Sequence, residues 1–178
     1  ELYLGFYFSF YTFDHYKKSD TLSFRSEKPN LCNSPLTSHE KFIYLTESEY
    51  IARDLINSPA NYLGPSKLEE YAKSFSDFHE ARFSSICGEE LLKKNLPLIY
   101  NVGKASEQEP RLIEINHGKE EAKFSLTLIG KGVCFDTGGL NLKNSVGMQN
   151  MKKDMAGSAA VLSLAHYFIR SGTNIKLR

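Results

Sequence analysis

Apolar positions recur along this chain with two spacings, one helical and one extended. Leu68, Tyr71, Ala72, Phe75 and Phe78 follow the i, i+3, i+4, i+7 stripe behind Gly64-Pro65-Ser66, which predicts an amphipathic helix opened by proline. Just upstream, Tyr50, Ile51, Ala52, Leu55 and Ile56 predict another helix. There Thr46 is the expected N-cap, Glu49 completes a capping box, and Asn57-Ser58-Pro59 ends the run. A third helix, rich in alanine, valine and leucine, is predicted from Ala156 to Ile169, stopping at Gly172. Short apolar runs at 81–87, 112–115, 124–129 and 174–177 read as strands, with a turn at Asn116-His117-Gly118 and a short helix from Glu89 to Asn95 closed by Pro97. Strand, loop, helix and strand in succession predict an α/β fold, a mixed or mostly parallel sheet with helices on both faces. The last strand has only begun where the sequence stops, which suggests part of something longer.

The first 18 residues are dense in Tyr, Phe and Leu and read as buried core, whereas residues 19–40 are polar, contain Pro29 and Pro35, and read as a loop or weak hairpin. A soft boundary is expected near residue 45. With 178 residues, 41% of them apolar, the chain has the means to bury a core. Its 22 basic and 21 acidic residues give no electrostatic reason to expect nucleic acid or an anionic membrane as a partner. The aromatic N-terminal run is too short to span a bilayer and lacks the marks of a signal peptide. Cys32, Cys87 and Cys134 are scattered and odd in number, arguing against a disulfide framework and for a reducing, cytoplasmic setting.

Candidate chemistry concentrates between Leu128 and Ala160. The strand ending at Gly130-Lys131-Gly132 and the loop carrying Asp136 place polar groups at the C-terminal edge of a sheet, where open α/β folds bind ligands. Gly138-Gly139 permits positive φ and close backbone approach, as it also does in an ordinary turn. Asp136 and Asp154 are hard oxygen donors for a divalent cation. With Lys131, Lys143, Lys152 and Lys153 close by in sequence, they are equally suited to surface ion pairing. Lys131, between glycines after an apolar strand, needs a partner or the loss of its proton.

The run Gly130-Lys131-Gly132-Val133-Cys134-Phe135-Asp136-Thr137-Gly138-Gly139-Leu140-Asn141-Leu142-Lys143, followed by Met151-Lys152-Lys153-Asp154-Met155-Ala156-Gly157-Ser158-Ala159-Ala160, resembles the leucyl (cytosol) aminopeptidase family of metallopeptidases, peptidase family M17. The resemblance extends to residues 52–61 and 110–113, and more loosely to the aromatic segment ending at Tyr16-Lys17. It implies that residues 1–45 are the end of a preceding domain plus linker and 46–178 the first part of a catalytic domain. It further implies two divalent metal ions (zinc, manganese or magnesium) cleaving N-terminal, leucine-like residues from peptides. By position, Asp136 would bridge both metals, while Lys131, as a neutral amine, and Asp154 would hold the more exchangeable one. Lys143 would stay cationic and stabilise the oxyanion, and Met151 would line the pocket for the substrate's first side chain. The full-length family assembles as hexamers and uses a bicarbonate or water base.

Two departures qualify the resemblance. Asn144 replaces the proline usual after Lys143, a small loosening of the loop. The family's second motif, Asn-Thr-Asp-Ala-Glu-Gly-Arg, does not occur in this sequence, so half the metal ligands are missing. Two rivals follow: a truncated, inactive relative acting as a binding or assembly module, and an actin-like or sugar-kinase phosphate site built on Phe135-Asp136-Thr137-Gly138-Gly139. No G-x-S-x-G elbow, H-E-x-x-H helix or Walker loop is present. The five histidines (His15, His39, His79, His117, His166) are scattered and receive no role, with His166 expected to be packed or capped.

Overall fold

The computed structural model describes residues 2–16 and 39–178. The loop or hairpin expected over 19–40 lies outside the described residues except for its last two positions, and Cys32 lies outside them too. Helix α1 (Leu2–Ser9) is held by its aromatic groups. Tyr7 is buried, the Tyr50 hydroxyl donates to its carbonyl at 2.5 Å, and the Arg53 guanidinium stacks over Phe8 and Tyr11. Phe6 on this helix and Phe10 just past its end stay about half exposed, so the aromatic run is only partly core.

Helix α2 (His39–Asn57) begins well before the expected start and runs unbroken through position 45. Thr46 is therefore a mid-helix residue and the capping box does not form. Its hydroxyl donates to the Phe42 carbonyl at 2.8 Å, and the Ser48 hydroxyl donates to that of Tyr44 at 2.7 Å. Bonding one turn back satisfies a hydroxyl inside a helix, so the residues that looked like a helix start are tolerated within it. Glu49, freed from capping, pairs with Arg53 one turn on. Helix α3 (Pro65–Phe78) follows the predicted stripe, with Gly64 as N-cap and Leu68, Ala72 and Phe75 buried.

Strand β1 (Arg82–Cys87) leads into helix α4 (Glu90–Lys93). Pro97 then opens a further helix, α5 (Pro97–Gly103), rather than simply ending the one before it, because proline at the first helical position sacrifices no hydrogen bond. Strand β2 (Arg111–Asn116) pairs antiparallel with β1. Strand β3 (Phe124–Leu126) pairs in parallel with β4 (Ile175–Leu177), joined through helix α6 (Ser145–Met148), a 3₁₀ helix (Met151–Met155) and helix α7 (Ala156–Arg170). A parallel pair needs such a crossover. Reciprocal backbone bonds between His117 and Leu177, at 2.9 and 2.8 Å, link the two strand pairs. The fold is thus a mixed α/β segment in which short strands serve a larger helical part. None of the helices among the described residues is long and apolar enough to cross a membrane.

The core joins Ile51 and Leu55 of α2, Leu68 and Phe75 of α3, Ala159, Leu162 and Ala165 of α7, and Leu177 of β4. Alanines on α7 let α2 lie close along it. One polar chain crosses this seam. His79, at the end of α3, has Nε2 at 3.0 Å from Nδ1 of His166, whose own Nε2 is 3.2 Å from the Glu47 carboxylate. Both imidazoles are buried, His166 at 3% and His79 at 7% exposure, and both border an apolar cavity of about 380 Å³. His166 is packed, as expected, but its partnership with His79 joins residues 87 apart and has no local signature in the sequence.

Burial, reinforced by His166, pushes the His79 pKa down from 6.5 to about 4. The unfolded chain takes up a proton at this site between those values and the folded chain does not, so stability is full above pH 6.5 and falls as pH drops toward 4. The expected loss is roughly 3 kcal/mol by about pH 4. Denaturant titrations of wild type and His79→Gln at neutral and mildly acid pH should show this loss only in wild type, and an identical acid loss in the variant would place its origin elsewhere.

Candidate metal and active site

The parallel ladder carries the chain beyond β3, since the Arg178 N–H donates to Leu126 O and the Leu128 N–H donates to Arg178 O, each at 2.9 Å. Past Leu128 the backbone leaves the sheet and runs against the start of α7. The Ser158 N–H donates to the Lys131 carbonyl at 2.9 Å. A Cβ on Gly130 would lie 2.6 Å from the Gly157 carbonyl oxygen, and one on Gly157 would lie 2.8 Å from the Lys131 nitrogen. Only glycine fits at either position. This contact brings the two sequence blocks of the site together, and Cys134 and Met155 anchor one block each in the core. Burial raises the Cys134 thiol to about 11, as suits an inert packing residue.

The five predicted site residues form two sets. Lys131 Nζ lies 2.9 and 2.8 Å from the two carboxylate oxygens of Asp154. Lys143 Nζ lies 2.5 Å from Asp136 Oδ2, 3.1 Å from the Asp136 carbonyl oxygen and 3.2 Å from Met151 Sδ. The ion pairing foreseen for these residues is present. Lys131 is not wedged in apolar surroundings, for its side chain is 59% exposed. The Asp154 carboxylate holds its ammonium above the usual lysine range, with a smaller contribution from Asp136. Asp136 is shifted the other way, below the usual carboxylate range, by Lys143 first and then by the Gly138 N–H, which donates to Oδ1 at 2.8 Å.

The loop between Asp136 and Lys143 is closed by the Lys143 N–H bonding to Thr137 O at 2.9 Å. Gly138 turns at φ 92°, where a Cβ would meet Asn141 O at 2.5 Å. Asn144 does not loosen this loop. Its Oδ1 accepts the Gly147 N–H at 2.8 Å and caps α6, a service proline cannot provide. Lys152, expected only as one of several nearby cations, donates instead to the carbonyl of Asn57 at the end of α2, at 2.7 Å.

Two carboxylates and an amine suit one side of a divalent cation's shell. Asp154 Oδ2 is shielded from solvent, lies 2.8 Å from the Lys131 ammonium and has no aligned hydrogen bond among the described residues, so a positive charge suits it. A hard divalent cation takes about six ligands, and among the described residues no cluster of three or more His, Cys, Asp or Glu supplies them. The donors fit part of a shell.

The class of chemistry such a partial site suits is metal-assisted hydrolysis. The family model described as "Cytosol aminopeptidase family, catalytic domain" matches residues 50–178. The chain is 35% identical over 172 residues to a probable cytosol aminopeptidase of Chelativorans sp. (strain BNC1), covering 92% of this chain and 34% of that protein. The crystal structure of the Coxiella burnetii cytosol aminopeptidase superposes with a TM-score of 0.84 at 36% identity, covering 98% of this chain and 36% of that one. The bottromycin maturation enzyme BotP, solved in complex with Mn, superposes at 0.81 with 27% identity, again over 98% of this chain and 36% of its own. The chain belongs to the cytosol aminopeptidase family and spans about a third of the length of the relatives it matches. That membership displaces the actin-like or sugar-kinase reading of the Asp136 loop.

The glycine contact makes a direct prediction. Gly157→Ala should cost about 2 kcal/mol, lowering the thermal midpoint by roughly 5 °C. Gly5→Ala, inside α1 with open space around it, should leave the midpoint unlowered or slightly raised, and equal midpoints for the two variants would contradict the close approach.

Proposed function

We propose that this chain carries the first half of a two-metal aminopeptidase site. The supporting observation is that Lys131 pairs with Asp154, and Asp136 with Lys143 and Met151, close to where the segment after β3 runs against the start of α7. Residues 46–178 are then the N-terminal part of the catalytic domain, and 1–45 the end of a preceding domain with its linker. Lys131, Asp136 and Asp154 would hold the metal, manganese, zinc or magnesium, which when bound supplies an activated water and polarises the peptide carbonyl. Lys131 must give up its proton to become a ligand, and in the free chain its pairing with Asp154 opposes that loss. Lys143 keeps its charge and directs it at the oxygen on which negative charge develops. Met151, in contact with Lys143, borders the space for a leucine-like side chain. The cytosolic setting, the hexameric assembly and the bicarbonate base belong to the same reading and concern the full-length protein.

Because Asn-Thr-Asp-Ala-Glu-Gly-Arg is absent from this sequence, the chain alone should bind Mn²⁺ weakly and hydrolyse leucine amide little or not at all. Asp136→Ala and Asp154→Ala should each remove the residual Mn²⁺ binding seen by calorimetry. Undiminished binding in both variants would overturn the ligand assignment, and efficient hydrolysis by the 178-residue chain would overturn the half-site. The same missing motif supports a second reading, an inactive relative that serves as an assembly or binding module. Exposed apolar groups around the site, Ile129, Leu140 and Val146 among them, are consistent with a partner there.

A further inference from the structure

A five-residue 3₁₀ helix is a poor platform for metal chemistry, since its hydrogen bonds are weakly aligned and short 3₁₀ pieces lean on their surroundings. Here that helix, Met151–Met155, carries Met151 at its first position and Asp154 at its fourth. Its end is fixed by Met155, which is 1% exposed and packed in the core. Its beginning needs a second fixture, and Lys152 is placed to be one.

Lys152 Nζ donates to the Asn57 carbonyl at 2.7 Å. Asn57 is the last residue of α2, where carbonyls lack intrahelical donors and the helix dipole presents negative charge. The acceptor is itself held. Asn57 Nδ2 donates to the Tyr11 hydroxyl at 3.0 Å, and that hydroxyl donates to Asp54 Oδ1 at 2.8 Å. The tie therefore runs from a 19-residue helix to the middle of the segment whose flanking residues meet Lys143 and Lys131.

We propose that Lys152 is a positioning residue, clamping the 3₁₀ helix to the end of α2 so that Met151 and Asp154 are presented to Lys143 and Lys131. Its importance for metal binding rests on the half-site reading above, whereas its effect on Met151 does not. A cation at this position is required for charge and reach, so arginine should replace it and an apolar residue of similar bulk should not.

The chain's only methionines, Met148, Met151 and Met155, report on this segment directly. Isotope-labelled methionine methyls in the full 178-residue chain would be followed by NMR in wild type, Lys152→Leu and Lys152→Arg, with and without Mn²⁺. In Lys152→Leu the Met151 methyl should move toward the position of an exposed methionine while Met155 stays in place, and Lys152→Arg should restore the wild-type position. Mn²⁺ should broaden Met151 in wild type, and Lys152→Leu should raise the Mn²⁺ concentration needed by about tenfold, with Lys152→Arg close to wild type. An unmoved Met151 in Lys152→Leu overturns the clamp. Equal displacement of Met151 and Met155 in both variants also overturns it, since a general loss of structure, not a positioned cation, would then be the cause. Failure of Mn²⁺ to broaden Met151 in wild type would count against the metal reading alone, and the methyl shifts would still decide the clamp.

Discussion

The structure depends on two backbones meeting where no side chain can stand between them. Gly130 and Gly157 let the segment that follows β3 and the first turn of α7 come into direct contact, and the Ser158 N–H seals that contact on Lys131 O. Interiors tolerate almost no extra volume, so one methyl group at either glycine would push apart the two segments that carry Lys131 and Asp154. The site's architecture is a matter of excluded volume before it is one of charge.

The ion pairs sit on top of this scaffold. Lys131 with Asp154 and Lys143 with Asp136 are partly exposed, and pairs of that kind contribute little to folding. In the proposed site they prepare the electrostatics. Lys143 holds the Asp136 carboxyl below the usual carboxylate range, and Lys131 gives Asp154 Oδ2 a positive partner. Gly138, turning at positive φ, and Asn144, capping α6, hold the loop that brings Lys143 back onto Asp136. If Lys131 is a ligand as proposed, the same arrangement would oppose metal binding, because Lys131 would first have to surrender a proton that Asp154 helps it keep.

Away from the site, α2, α3 and α7 form the mass against which the short strands rest, and the seam between them is not wholly apolar. His79, His166 and Glu47 cross it as a hydrogen-bonded chain beside an apolar cavity. Burial there disfavours the charged form of His79. The helical layer is thereby tied to pH through a group that takes no part in the proposed chemistry.

Much of this was legible in the residues themselves. The stripe from Leu68 to Phe78 marks α3 and the alanine-rich run marks α7, because both periodicities are local and strong. The block from Gly130 to Lys143, with Met151 to Ala160, identifies the family because its spacing is dense enough to be specific. Local signals misled at two positions, once where burial overrode a cap and once where proline has two local meanings. Thr46 looks like a cap but is buried within α2 and bonds one turn back, and Pro97 looks like a stop but begins α5. What no local pattern could supply were the meetings of distant residues: His79 with His166, His117 with Leu177, and Lys152 with the end of α2. The sequence by itself determined which residues could perform chemistry and which helices would form, since those follow from side-chain type and short-range spacing. Only the tertiary structure decided which lysine faces which aspartate and what holds the 3₁₀ helix in place, because Lys131 meets Asp154 across 23 positions and Lys152 meets Asn57 across 95, and even the seven-position return of Lys143 to Asp136 depends on how its loop folds.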